Sequence, residues 1–281
     1  MALPVMVKAA LPAVPGVNLL PGIRKTGGDL PTTELRRDDV VVERAQVDRY
    51  AETCGFPIKD VAPVPYLHML AFPLHMQLMT DSSFPFPAIG SVHLENTISQ
   101  HRPVAIGETV SLSLKAENLR LTTKGKAWDM NVVGTVGDEV VWESKSTYLR
   151  VGTGDKDNGD KGMQLATVDP SGLTWRLPED LGRKYGAVSG DRNPIHLYPI
   201  TAKALGFPRH IAHGMWTKAR CIAALENRLP DAVKVEVAFK KPVFLPGTVA
   251  FGTEETATGW DFGLFNPKNG APHLLGRTSS I

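Results

Sequence analysis

With 281 residues, 42% hydrophobic and 21% charged, the chain has the composition of an ordinary globular protein and is long enough for two domains of about 130 residues each. A net charge of +2 gives no global reason to invoke nucleic acid or a membrane surface. No apolar run of about 18 residues argues for a transmembrane helix, and two distant cysteines, Cys54 and Cys221, read as buried thiols of a reducing, cytoplasmic compartment.

Residues 1–32 read as an extended, Pro-rich arm packed on the body. Pro4, Pro12, Pro15 and Pro21 interrupt its apolar character, and Lys8 lies inside the apolar part rather than ahead of it, unlike a secretion signal. Residues 33–151 form a first half. Val40 to Val42 lead into a helical stretch over 45–51, and Leu67 to Met79 is apolar enough for a buried helix, with Pro73 expected in its first turns or at a kink. Four strands follow at Val92–Ser99, Thr109–Leu119, Ala127–Val136 and Glu139–Val151, rich in β-branched and aromatic residues and punctuated by glycines.

Residues 152–163 read as the linker, since GTGDKDNGDKG carries no apolar residue. Residues 164–281 then repeat the earlier order. Short helices fall at Leu181–Tyr185 and Ala202–Leu205, and a longer one is a candidate over Ile211–Leu229. Strands follow at Val233–Phe239, Val249–Glu255, Gly259–Phe265 and His273–Arg277.

The halves share wording. KYGAVSGD at 184–191 aligns with RYAETCGF at 49–56, and KKPVFLPGTV at 240–249 echoes HRPVAIGETV at 101–110. Each copy provides one long apolar helix and about four strands, an order satisfied by an antiparallel sheet wrapped around a central helix, an α+β arrangement. In this register Phe56 stands opposite Asp191, Val61 opposite His196, and Ala71-Phe72-Pro73-Leu74 opposite Ala212-His213-Gly214-Met215. One copy therefore does without the polar groups the other keeps, and the fold alone does not require them.

Those groups lie in Tyr185 to His196, YGAVSGDRNPIH. Ser-Gly-Asp and Asn-Pro disfavour a helix interior, so a constrained loop is expected. An acid and an imidazole five positions apart can converge on one water there, although an Asx-turn with a helix cap would use the same residues. Asn193 is suited to fixing Asp191 or the loop. Gly214, at a helix start, exposes an N–H at the positive end and lets a carbonyl approach. His213 could pack or cap, and Ser189, outside any G-x-S-x-G context, reads as a loop hydrogen-bonder.

YGAVSGDRNPIH followed by IAHGM resembles the signature of the MaoC-like, (R)-specific enoyl-thioester hydratases, which have the hotdog fold. The duplicated layout resembles their double-hotdog members, among them mycobacterial 3-hydroxyacyl-thioester dehydratases. The resemblance is strong over about 180–250 and consistent in order over 33–150. It implies that Asp191 and His196 activate water, that Asn193 supports them, and that the Gly214 N–H binds the thioester oxygen. It also implies a degenerate first half that accommodates the acyl chain, with Met69, Met76 and Met79 lining it. Ser189, Gly190, His213, Met215, Met76 and Lys240 are the expected substrate contacts, with Lys241 and Arg209 as further basic candidates for the carrier.

The expected substrate is an acyl-CoA or acyl-carrier-protein thioester, without cofactor or metal, since the eight histidines are scattered and no phosphate-binding loop occurs. A hotdog thioesterase and a non-catalytic acyl-thioester-binding subunit are the alternatives. Both a homodimer and a pseudo-dimeric monomer are compatible with the sequence.

Overall fold

A computed structural model describes residue 25 and residues 28–281. Most of the expected N-terminal arm therefore lies outside the described residues. Ten strands form one sheet in the order β1-β3-β4-β5-β2-β7-β10-β9-β8-β6. Its first five are β1 (Leu35–Val41), β2 (Ser91–Gln100), β3 (Thr109–Thr122), β4 (Gly125–Val136) and β5 (Glu139–Val151). The second five are β6 (Leu173–Leu177), β7 (Val233–Phe239), β8 (Gly247–Thr256), β9 (Gly259–Phe265) and β10 (Pro272–Ser280). Read outward from the centre, each half has the same connectivity, so the order is that of two hotdogs joined edge to edge.

The seam is the antiparallel β2–β7 pair, with Ile98 opposite Val235 and both without exposure. Each half wraps its sheet around one helix: α2 (Tyr66–Thr80) in the first and α6 (Gly214–Leu225) in the second. Every α2 position from Tyr66 to Ala71 is buried, as expected for a helix apolar all round. Pro73 lies mid-helix rather than in the first turns, and helical backbone continues through it, leaving the Met69 carbonyl without its usual donor.

The expected elements differ from the structure in three informative places. The strands β1 and β6 were not anticipated, because LRRDDVV and LTWRL are short, largely exposed edge strands with too little alternation to stand out. The helix candidate over 211–229 begins at Gly214 and ends at Leu225, since Ile211 pairs with Phe244 in a β-bridge and the Ala212 N–H donates to the Val243 carbonyl. The 185–196 stretch is not one loop. Helix α3 (Leu181–Ser189) runs to Ser189, residues 190–193 turn, and α4 (Pro194–Leu197) follows, succeeded by α5 (Pro199–Ala204). Asn193 caps α4 by accepting from the Ile195 N–H, with Pro194 in the first turn where its missing donor is no loss.

Residues 152–163 run along the β3–β4 hairpin. The Arg120 Nε donates to Asp160 at 2.6 Å, and Thr122 bridges Asp160 in parallel. No helix among the described residues is long and apolar enough to cross a membrane.

Two matched features fix the internal register. Helices α1 (Arg44–Cys54) and α3 end on the left-handed caps Gly55 and Gly190, and Tyr50 and Tyr185, four residues before Cys54 and Ser189, lie 6.3 Å apart. This confirms Phe56 as the counterpart of Asp191. The Val61–Ala105 bridge and the bond from the Ala62 N–H to the Val104 carbonyl then match Ile211–Phe244 and Ala212–Val243. The partners of His213 and Gly214 are therefore Pro63 and Val64, not residues 72 and 73. Val61 corresponds to Ile211 rather than His196: the first half spans Phe56 to Val61 directly, where the second inserts α4 and α5.

Candidate active site

The insertion places its polar groups at one point. Gly182 on α3 lies under the first of the inserted helices, and a Cβ there would stand 1.9 Å from the His196 carbonyl oxygen, so any side chain would push α4 away. The Asn193 N–H donates to Asp191 Oδ1 at 3.1 Å, and the Asp191 N–H donates to Ser189 Oγ at 3.2 Å. Asp191 is thus held by its neighbours while its side chain keeps 24% of its surface, and it lines a cavity.

His196 is 7% exposed, and its Nδ1 lies 2.8 Å from the Ile211 carbonyl oxygen. A carbonyl only accepts, so Nδ1 carries the proton and Nε2 keeps a free lone pair. His213 stacks on it with centroids 3.7 Å apart, and donates from Nε2 to the Asp191 carbonyl at 2.9 Å. His213 therefore props both groups, and its buried Nδ1 has no hydrogen-bond partner.

Burial sets the electrostatics. Desolvation lowers the pKa of His196 to about 3, helped by the neighbouring His213 and opposed by Asp191. His213 is lowered to about 4 by desolvation, against its bond to the Asp191 carbonyl. Asp191 is pushed up by desolvation, opposed by His196 and the Asn193 N–H. Both imidazoles are neutral near pH 7, and the carboxyl is a stronger base than in water.

Gly214 opens α6, so its N–H has no intrahelical acceptor and sits at the positive end of the helix. A Cβ on Gly214 would stand 3.2 Å from the Phe239 ring. The absence of a side chain here lets the Phe239 ring approach the α6 N-terminus closely.

The cavity has a volume of about 590 Å³ and is lined by both halves. Asp191, Asn193, His196, Ser189, His213, Gly214, Met215 and Lys240 all line it, as do Met69, Met76 and Met79 from α2. Gly190 does not; it acts through the backbone as the α3 cap. Arg209 is exposed, lies over Phe244, and lines a neighbouring cavity of about 480 Å³. Sequence reasoning missed Gly182, Phe239, His68, His93 and Tyr148. The histidines in LHMLAFPLHM were the available signal, being seven apart on one helix face.

Asp191, His196 and His213 also offer ligand atoms within 4.8 Å of one another, a grouping that could hold a metal ion. One nitrogen of each imidazole is already committed to a backbone carbonyl.

Two hotdogs in one chain, with an acid and two stacked imidazoles at a cavity that runs into the other half, define an asymmetric double hotdog. Residues 158–262 match the family described as MaoC like domain. The chain is 38% identical over 267 residues to 3-hydroxyacyl-thioester dehydratase X of Mycobacterium tuberculosis, covering 94% of this chain and 92% of that protein. The chain belongs to the MaoC-like dehydratase family. The crystal structure of HtdX of M. tuberculosis superposes with a TM-score of 0.80 at 36% identity, over 89% of this chain and all of that one. The (R)-specific enoyl-CoA hydratase of Aeromonas caviae is 35% identical over 77 residues, 26% of this chain and 58% of that protein.

Proposed function

We propose that the chain is a hydro-lyase of fatty acid metabolism that interconverts (R)-3-hydroxyacyl and trans-2-enoyl thioesters. The observation that carries this reading is the convergence of Asp191, the free Nε2 side of His196 and the α6 N-terminus on one cavity.

In the hydration direction Asp191 and His196 hold one water between them. His196 Nε2 takes a proton as the water oxygen attacks the β-carbon, Asp191 stabilises the imidazolium, and the negative charge moves to the thioester oxygen, where the Gly214 N–H receives it. The proton then passes to the α-carbon, and dehydration is the reverse. Neutral His196 is the form this step needs, and its lowered pKa keeps it neutral. Asn193 and His213 are positioning residues, since both hold Asp191 through hydrogen bonds.

The acyl chain runs into the first half along Met69, Met76 and Met79, and the carrier leaves past Lys240 and Lys241. A reducing, cytoplasmic setting agrees with two buried thiols whose pKa values burial raises.

A chain-length series of trans-2-enoyl-CoA thioesters, followed by loss of enoyl absorbance, tests the proposal. Turnover at one or more lengths is expected. Turnover at none overturns it, and release of free thiol from saturated thioesters would instead identify a thioesterase.

A further inference from the structure

The end of the cavity supplied by the first half combines apolar side chains with uncharged polar rings. Alongside Met69, Phe72, Met76 and Met79 it is lined by His68, His93 and Tyr148, with no charged residue among the described residues that this half contributes. His68 is 4% exposed and His75, packed behind it, has no exposure. The His68 ring lies 5.2 Å from that of His75 and 6.1 Å from that of His93. His93 stacks on Tyr148, its partner across β2 and β5, at 4.6 Å. Next to His93 in β2 the strand register shifts, a bulge of the kind that re-aims side chains.

These groups are poorly satisfied. His68 Nδ1, His75 Nε2 and His93 Nε2 are buried without hydrogen-bond partners, and the Tyr148 hydroxyl makes only a long 3.4 Å contact with His75 Nδ1. Buried polar atoms in native proteins are normally paired, so several orphans around one cavity point to something that pairs with them when the site is filled. Burial holds His75 and His93 near pKa 3 and His68 well below its ordinary value, so the rings are neutral. Neutral imidazoles and a phenol each offer one donor and an acceptor. That suits a neutral oxygen and suits neither a carboxylate nor an ammonium, which would need a counter-charge.

We infer that the first half recognises an acyl chain carrying a neutral oxygen function, a hydroxyl or a carbonyl, at His68, His93 and Tyr148. This deepens the proposed hydratase reading and rests on it. An unsubstituted chain leaves the imidazoles unpaired, whereas the oxygenated chain satisfies them, so selectivity follows from the penalty on the plain chain.

The test uses the full chain and a set of trans-2-enoyl-CoA thioesters of one length, in which a hydroxyl or keto group is walked along the acyl chain. At one position kcat/KM should exceed that of the unsubstituted parent by about tenfold or more. The hydroxyl and keto arms distinguish which oxygen is preferred. In Tyr148→Phe and His68→Leu the ratio of oxygenated to parent substrate should fall toward one. Because the readout is a ratio within one protein, a general loss of activity does not imitate the result. Turnover of the parent with no position favoured overturns the inference alone, even if both variants fail to fold. A preference that survives both substitutions overturns the assignment to these residues. Absence of turnover on every enoyl thioester overturns the hydratase reading and this inference with it.

Discussion

The two halves run in parallel up to a glycine and then part. Helix α1 ends at Gly55 and α3 at Gly190, both left-handed. After Gly55 comes Phe56, 6% exposed in the core, and the chain reaches the central helix within ten residues. After Gly190 comes Asp191, and the chain detours through α4 and α5 before rejoining the matched path at Ile211. The halves therefore differ at the site by an insertion and by the residues on the matched path, Asp191 for Phe56, His213 for Pro63 and Gly214 for Val64. The central helices differ in a complementary way. Counting from the matched bridges, His68 of α2 corresponds to Lys218 of α6. Lys218 is fully buried and bonded to the Asn96 and Val235 carbonyls and to Asn96 Oδ1, whereas His68 keeps an unpaired nitrogen. One half uses its central polar residue to lock the seam, and the other leaves it facing the cavity.

The largest effect should come from removing the groups the first half lacks. Asp191→Asn and His196→Gln should each lower kcat by about 10²–10⁴-fold on the best enoyl thioester, and the double variant should be little worse than either, as expected of groups acting as a unit. Circular dichroism and thermal unfolding should stay close to the parent. Additive losses would show that the two do not act on the same water. The reciprocal change, Phe56→Asp, should give no second activity, because the first half lacks the inserted helix that carries His196. Replacing this buried ring should cost about 3–5 kcal/mol in urea unfolding; a stable variant would contradict the matched register.

The seam offers a smaller break. Asn96 also donates to Ser144 and Ser146 at 3.0 Å each. Asn96→Leu should cost about 1–3 kcal/mol by removing a charge-assisted acceptor from Lys218 and the partner of two buried hydroxyls. Lys218→Met should cost less, because deleting the ammonium also removes its desolvation. The reverse order in urea midpoints would mean that Lys218 is not charged in the fold.

Gly214→Ala should lower kcat/KM by about tenfold, a loss of about 1.4 kcal/mol in transition-state binding. The added methyl would crowd Phe239 at 3.2 Å. Gly214→Ala combined with Phe239→Leu should recover part of the loss. No recovery would place the effect on the N–H itself rather than on the crowded ring.

Much of this asymmetry was legible in the chain, because it is written in local chemistry. Gly-Asp-x-Asn-Pro forbids a continuous helix, and RYAETCGF against KYGAVSGD sets the copies in register up to the glycine. Beyond it, alignment by spacing failed across the inserted helices, while HRPVAIGETV against KKPVFLPGTV holds, since Val104 and Ala105 match Val243 and Phe244. Only backbone hydrogen bonds, invisible in composition, reveal that Val61 matches Ile211. The histidines looked scattered because strand and helix neighbours are brought together by the sheet: His93 meets Tyr148 across a ladder, and from one helix His68 meets His93 while His75 meets Tyr148. Gly182 was equally silent, since its need comes from a carbonyl fourteen residues away.

The pH dependence of stability spans both halves and has a defined sign. His68, His75 and His93 in the first half and His196 and His213 in the second are all held neutral by burial, at about 3 for His75, His93 and His196 and about 4 for His213. The unfolded chain takes up protons on each below about pH 6.5 while the folded chain does not. Stability should therefore be full above pH 6.5 and fall as pH drops toward the folded values, by up to about 1.4 kcal/mol per pH unit for each ring. Asp191 works in the opposite direction, because its raised pKa makes the fold bind a proton more tightly and adds stability as pH falls through its folded value. His75→Leu removes one ring that does not line the cavity, and should flatten the dependence of the urea midpoint between about pH 4 and pH 6.5 without abolishing it. A slope unchanged by this substitution would show that His75 is not the neutral, buried ring that distinguishes the first half's interior.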